Sequence, residues 1–329
     1  EAQMSRRFLV SIVVVLLVTP SLAGQSRLWT APHTADGQPD LQGFWTNATF
    51  TALERPKDVT KEFFTKEEAA EFEMRLAAED AAQTEPGTIA DVHYDFTQFG
   101  LDTAQAPYAS HLRTSLIFDP ADGKLPPLTA AGQARAAARA EQAKRVGRWD
   151  SAQSNELDDR CMIFAGAGPP MLPQSYNSNY QIVQTSGYVM ILFEMAHDVR
   201  IIPLDGRPHV PAAVQQWIGD SRGRWDGDTL VIETTNFNGK NPLRGSSERM
   251  RVTERLTRVD ADTIRYRFTI DDESTWTRPW SAELLMRKAT GPLFEHACHE
   301  GNYGLYNTLA GARLEEKKAA DEAAKKKSE

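Results

Sequence analysis

The stretch Trp217–Phe237, WIGDSRGRWDGDTLVIETTNF, decides the fold. Asp226-Gly227-Asp228 is a polar turn between a Gly/Arg-rich approach and a β-branched run, Thr229 to Phe237. Asp-Gly ahead of alternating apolar residues is a strong short-range hairpin signal. From Leu230 the side chains alternate: Leu230, Ile232 and Thr234 on one face, Val231, Glu233 and Thr235 on the other. A period of two belongs to a half-buried strand, not to a helix.

Working outward, the same pattern recurs on both sides. Tyr180–Thr185 and Tyr188–Met195 are strand-like runs split by Ser186-Gly187, and Val199–Leu204 follows, ending in the turn Asp205-Gly206-Arg207-Pro208. Beyond the central stretch come Met250–Val259, the turn Asp260-Ala261-Asp262, Thr263–Ile270, Trp276–Lys288 and Leu293–Cys298. Roughly eight strands joined by short turns predict a sandwich or an up-and-down barrel. No long helix separates them, which argues against a parallel sheet. The expected fold is mainly β: an antiparallel, calycin- or lipocalin-like barrel or curved meander over residues 151–313. Residues 24–150 are expected to wrap it with helices and loops.

Within that wrap, Gly43–Asn47 is an extra or first strand, and Gly43-x-Trp45 is similar to the lipocalin pattern or simply plugs one end of a core. Thr65-x-x-Glu68 is a capping box opening a helix to about Ala78. Residues 80–110 have no clean period and read as loop, with at most a short strand around His93–Phe99. Leu116–Asp122 is a strand and turn, and Thr129 starts an Ala/Arg-rich outer helix to about Arg145. The tail, 314–329, is charged and low in complexity; frayed helix or disorder is expected there.

The 329 residues carry a net charge of −8 and 41% hydrophobic side chains. That balance supports a sizeable core and excludes a basic nucleic-acid-binding face. Met4–Gln25 reads as a signal peptide: Arg6 and Arg7, an apolar run Phe8–Val18, and small residues before a cut after Ala23. Glu1–Gln3 upstream of Met4 look like a scar. The apolar run is short for a membrane span, so no stable membrane insertion is expected after cleavage. The expected location is periplasmic or secreted. There an isolated pair of cysteines, Cys161 and Cys298, forms one disulfide. It closes a loop of well over a hundred residues, worth roughly 4–5 kcal/mol in the chain-entropy treatment.

Alternation also indicates which charges point inward. Met250, Val252 and Leu256 share a face with Glu254. Tyr266, Phe268 and their neighbours Ile264 and Ile270 share the next, leaving Arg265 and Arg267 outside. Trp276, Trp280, Leu284 and Met286 share a face with Arg278. Glu254 and Arg278 would therefore sit in a lumen lined by Tyr266, Phe268, Trp276 and Trp280. That arrangement is either a ligand pocket or a buried ion pair closing one barrel end. A second cluster is Glu194, His197, Asp198 and Arg200, with His209 in the following turn. A third is HACHEGNY, His296–Tyr303. On a strand His296 and His299 face opposite sides, so joint metal ligation is not expected; His299 with Glu300 is a candidate acid–base pair. Asp220, Arg222, Arg224 and Asp226 read as a salt-bridged, solvated turn. No organic cofactor is implied, since no Gly-rich phosphate loop or nucleophile elbow is present.

The segments YNSNYQIVQT, RIIPLDGRPH, GDSRGRWDGDTLVIETTNF and ACHEGNYGL resemble a family of exported bacterial proteins without an established function. The resemblance runs from about Asp40 to Arg313, implies an exported single-domain product, and carries over no catalytic residue. Three functions follow as expectations. One is a barrel binding a small, largely apolar molecule through Glu254, Arg278 and the aromatics. The next is a cofactor-independent lyase, isomerase or hydrolase using His299, Glu300, His197 or Glu254. The last is a structural envelope protein. The sequence sets no oligomeric state.

Overall fold

The computed structural model describes residues 29–81, 112–147, 149–174 and 177–328. The proposed signal peptide and the strand expected at His93–Phe99 lie outside them. Ala31–Glu329 forms one compact unit. Its strands are β1 (Gly43–Thr46), β2 (Ile117–Asp119), β3 (Asn179–Gln184), β4 (Tyr188–Phe193), β5 (Val199–Pro203), β6 (Asp220–Asp226), β7 (Thr229–Thr235), β8 (Arg251–Asp260), β9 (Thr263–Asp271) and β10 (Trp280–Lys288). All pair antiparallel in the order β5-β4-β3-β1-β10-β9-β8-β7-β6, with β2 added onto β10. This is the expected up-and-down barrel, nearly closed, with three helices: α1 (Lys66–Ala81), α2 (Ala130–Arg145) and α3 (Tyr303–Ser328). Among the described residues no helix is long and apolar enough to cross a membrane.

Local chemistry explains the elements. The β6–β7 hairpin turns on Gly227, at φ +56°, where a side chain would be strained. Leu230, Ile232 and Thr234 are fully buried, as their alternation predicts, and Glu233 is exposed. Val231 is buried as well, sitting in register between Arg224 and Arg255 on the outer face. The Thr65–Glu68 box forms with both reciprocal bonds, 2.8 and 3.2 Å, and Thr129 caps α2 through Gly132 N–H at 3.1 Å.

Two expectations need correction. The Asp220–Asp226 approach is not a solvated turn but strand β6, with Asp220 and Ser221 buried. Leu293–Cys298 is not a strand; β10 already pairs β9 on one side and β1 and β2 on the other, so no edge is open to it. Of the two states expected for the tail the structure shows helix: it belongs to α3, whose charges are arranged as helical pairs such as Lys317–Asp321, 3.0 Å apart. The barrel does not close by hydrogen bonds all the way round. Strands β5 and β6, consecutive in sequence, end as the two edges of the sheet and meet through side chains. At that seam a Cβ on Gly223 would lie 2.7 Å from Leu204 and 2.8 Å from Ile202. Glycine is what lets the edges approach.

Large aromatic side chains occupy the interior. Trp45, Tyr180, Tyr266, Phe268 and Trp280 are all buried, with Phe268 and Trp280 edge to face at 5.7 Å. The segment Phe164–Met171 enters the end where β3 starts and β4 finishes. There the Tyr180 hydroxyl donates to Gly166 O (2.8 Å), Met171 N–H donates to the Tyr266 hydroxyl (2.9 Å), and Asn47 donates to Met171 O (3.0 Å). A Cβ on Gly166 would touch the Phe193 ring at 2.4 Å, so the plug passes there only as glycine.

Candidate acid–base cluster at the plugged end

Glu254 points inward as its alternation predicts and is fully buried, but its partner is Arg200. The Arg200 guanidinium donates at 3.0 Å to one carboxylate oxygen and at 2.5 Å to the other, and the Tyr266 hydroxyl donates at 2.7 Å to the first. Burial disfavours the Arg200 charge, yet Glu254 beside it more than compensates and holds its pKa above the ordinary value. Burial, with Glu254 adding to it, raises the Tyr266 phenol as well, so it stays a neutral donor. Arg278 is not in the lumen. It precedes Pro279, ahead of the first β10 residue, so the strand period does not reach it; it is exposed and pairs with Asp119 at 2.5 Å. Of the aromatics expected to line a pocket, Tyr266, Phe268, Trp276 and Trp280 are inside, but packed on each other and on the plug.

A different group of side chains gathers where the plug enters. The turn from β4 to β5, Glu194-Met195-Ala196-His197-Asp198, carries two successive non-glycine residues at positive φ, Ala196 at 55° and His197 at 44°. Such backbone costs of the order of 1–3 kcal/mol per residue and collects at functional sites. Glu194 is buried; one oxygen accepts from Asn179 at 3.3 Å, and the other is buried without a partner in the structure. Burial raises its pKa, and the Asn179 and Phe294 donors only partly offset this. Asp198, half-buried, is raised by burial against the charge of His197.

From the other direction the segment after β10 brings in His296. Its Nδ1 accepts from Ala196 N–H at 3.2 Å, and its ring stands edge to face with Phe164 of the plug at 5.3 Å. A nitrogen accepting a backbone N–H carries no proton, so the neutral ring bears its proton on Nε2. Burial lowers the His296 pKa, and His197 lowers it further, which keeps the ring neutral. The expected Cys161–Cys298 disulfide forms, with Cα atoms 5.7 Å apart, tying this segment to the start of the plug. Asn302 reinforces the tie by donating to Asp159 O at 2.9 Å.

Comparison with protein-family models and with curated proteins finds no match to this chain. The chemistry therefore has to be read from the cluster itself. Burial pushes two carboxyls of the cluster up and an imidazole down, the kind of displacement that collects at functional sites.

Of the four residues expected to be catalytic, only His197 belongs here, exposed at the rim. His299 and Glu300 are exposed in the turn beyond Cys298, and Glu254 is in the interior. Glu194, His197 and Asp198 stay together as the sequence suggests, but Arg200 turns into the barrel and His209 instead sits beside Asp220, the first residue of β6. There its Nδ1 lies 2.8 Å from Asp220, which also accepts from Val210 N–H (3.1 Å) and Arg222 (2.7 Å). Burial works against the Asp220 charge, but these donors outweigh it and hold the carboxyl below its ordinary value. His296 is the residue whose role sequence reasoning missed. A strand at Leu293–Cys298 would have pointed it away from His299, and nothing in the sequence announces a bond to a turn a hundred residues earlier. Among the described residues no group of three or more His, Cys, Asp or Glu is placed to hold a metal.

Proposed function

We propose that this protein is an exported, cofactor-independent acid–base enzyme, a lyase, isomerase or hydrolase of small molecules, working at the plugged barrel end. One observation carries the reading. Asp198 lies on a strained turn beside a half-unpaired buried carboxyl, His296 accepts a hydrogen bond from the backbone of that same turn, and burial displaces the pKa values of the two toward each other. Asp198, ionised, accepts a proton from a substrate carbon or an attacking water. The Nε2–H of His296 donates to the oxygen that gains charge. The proton returns to the product, so no electrons are exchanged with an outside partner. Burial raises the pKa of Glu194 on the same turn, so it holds its proton more tightly than a free carboxyl. The disulfide supports an oxidising, periplasmic or secreted setting. The aromatics inside the barrel pack on one another, and the substrate is placed at the rim, beside Asp198 and His296.

The test is turnover of a panel of small esters, lactones and enolisable ketones across pH. Asp198→Asn and His296→Gln are each expected to lose roughly 10²–10⁴-fold in rate, the usual worth of one general acid or base. Equal rates in both variants and the parent protein, on the best substrate found, would remove the reading. So would a His296 that titrates at its ordinary value by NMR.

A further inference from the structure

A groove of about 440 Å³ opens between α1 and the stretch 56–64 that leads into it, and its size is that of a small-molecule site. Its apolar lining is half-buried, with Val59, Phe64 and Phe72, and its charged lining is exposed at Asp58, Glu71 and Arg75. Both walls are fixed. Phe64 N–H donates to Leu112 O at 2.7 Å, Thr114 N–H to Glu62 O at 3.0 Å and the Thr114 hydroxyl to Lys61 O at 2.7 Å, which ties the leading stretch to the chain before β2. The Thr65–Glu68 box holds the first turn of α1, and the Phe64 and Phe72 rings pack with centroids 5.3 Å apart. A groove held open in this way spares a ligand the cost of ordering it. Three carboxylates line it, Asp58, Glu68 and Glu71, against the guanidinium of Arg75. Lys61 neutralises Glu68, which leaves Asp58 and Glu71 in excess. The two rings already take cations on their faces: Lys61 Nζ stands 5.6 Å from the Phe64 centroid, and the Arg75 guanidinium 5.3 Å from that of Phe72.

We infer that this groove binds a small organic cation with an apolar body, an aryl- or alkylammonium, its body on Val59, Phe64 and Phe72 and its charge matched by Asp58 and Glu71. The site shares no residue with the acid–base cluster and does not rest on that reading. A neutral molecule of the same shape keeps the apolar contact and forgoes the charge. An anion of that shape meets the carboxylate excess. Affinity should therefore fall from cation to neutral molecule to anion, and the preference should shrink as salt screens the exposed carboxylates.

The experiment uses the whole protein with ¹³C-methyl valine and three probes of one shape: phenethylammonium, 2-phenylethanol and phenylacetate. The Val59 signals are assigned from their loss in Val59→Ile. The expected result is a saturable shift of those signals with phenethylammonium, at a lower Kd than with 2-phenylethanol, and the weakest response with phenylacetate. Asp58→Asn and Glu71→Gln, both at exposed positions, are each expected to weaken phenethylammonium by about two- to fivefold, the worth of an exposed ion pair. Neither should change the Kd of 2-phenylethanol. Val59 signals unmoved by phenethylammonium overturn the site. Equal or tighter binding of the alcohol or of phenylacetate, or a phenethylammonium Kd unchanged in both variants, overturns its preference for a cation and with it the inference.

Discussion

Arg200 of β5 reaches across the unladdered seam to grip Glu254 of β8 through both carboxylate oxygens, each side chain almost wholly buried. It also donates to Ser221 of β6 at 3.4 Å, which in turn bonds Thr234 at 2.9 Å. One side chain of edge strand β5 thus bonds both the other edge, through Ser221, and the interior carboxylate of β8.

Taking one member of this pair away leaves the other charged and without its partner. Arg200→Met or Glu254→Gln is expected to cost about 3–5 kcal/mol, whereas Arg200→Met with Glu254→Leu together should cost far less, because the desolvation penalty goes with the charges. Urea unfolding of the three variants separates the cases. Single variants within about 1 kcal/mol of the parent, the scale of an exposed pair, would show that the seam does not depend on the ion pair.

The disulfide spans 137 residues and links the plug to the segment carrying His296. Its loss, by reductant or as Cys161→Ser with Cys298→Ser, is expected to lower stability by roughly 4–5 kcal/mol, from the larger freedom of the unfolded chain. The same change should speed amide exchange at Ala196, whose N–H is held by His296. An unfolding midpoint that ignores reductant would contradict this.

The period of two made most of the barrel legible: Leu230, Glu254, Tyr266 and Trp280 all point where alternation sends them. It failed at β5. Four of the five residues in Val199–Pro203 are apolar, yet Val199 and Ile201 face out while Arg200 and Ile202 face in. The apolar pattern cannot choose the face, and the deciding partner, Glu254, lies on another strand. Hairpin turns and helix caps were legible because their chemistry is local. The disulfide was legible because two cysteines allow one pairing. The acid–base cluster was half visible, since Glu194 to Asp198 are neighbours in sequence. The bond that completes it, Ala196 to His296, depends on where the chain goes after β10.

The seam also predicts a contrast between two glycines. Gly223→Ala puts a methyl against Leu204 and Ile202 at 2.7 and 2.8 Å, so it is expected to cost about 1–3 kcal/mol by overpacking. Gly227→Ala meets no neighbour within 4 Å, and only its φ of +56° opposes the change, at about 1–2 kcal/mol. Moving a side chain out of Leu204 should distinguish them. Leu204→Ala is expected to recover part of the Gly223→Ala loss and none of the Gly227→Ala loss. Strict additivity in both double variants would mean that the seam is not packed at Gly223.

Glu194 gives the pH dependence its sign. Its folded pKa is raised by burial, so the folded protein holds this proton more tightly than the unfolded chain. The resulting stability is fully present below the ordinary carboxylate value and is lost as pH rises through the raised one. Asp198 acts in the same direction. His296 opposes them: its folded pKa is lowered, so its contribution is present above the ordinary imidazole value and falls away as pH drops. Asp220 and Asp272, both lowered, act like His296 but in the acid range, so the parent curve mixes both signs. Differences between variants isolate each group. Glu194→Gln keeps an acceptor for Asn179 and loses the titration, so its stability relative to the parent should climb with pH from the ordinary carboxylate range upward and then level off. His296→Gln relative to the parent should climb in the opposite direction, as pH falls below the ordinary imidazole value. Urea midpoints at intervals of about one pH unit measure both differences, and a flat Glu194→Gln difference would mean that the buried carboxyl titrates as it does in the unfolded chain.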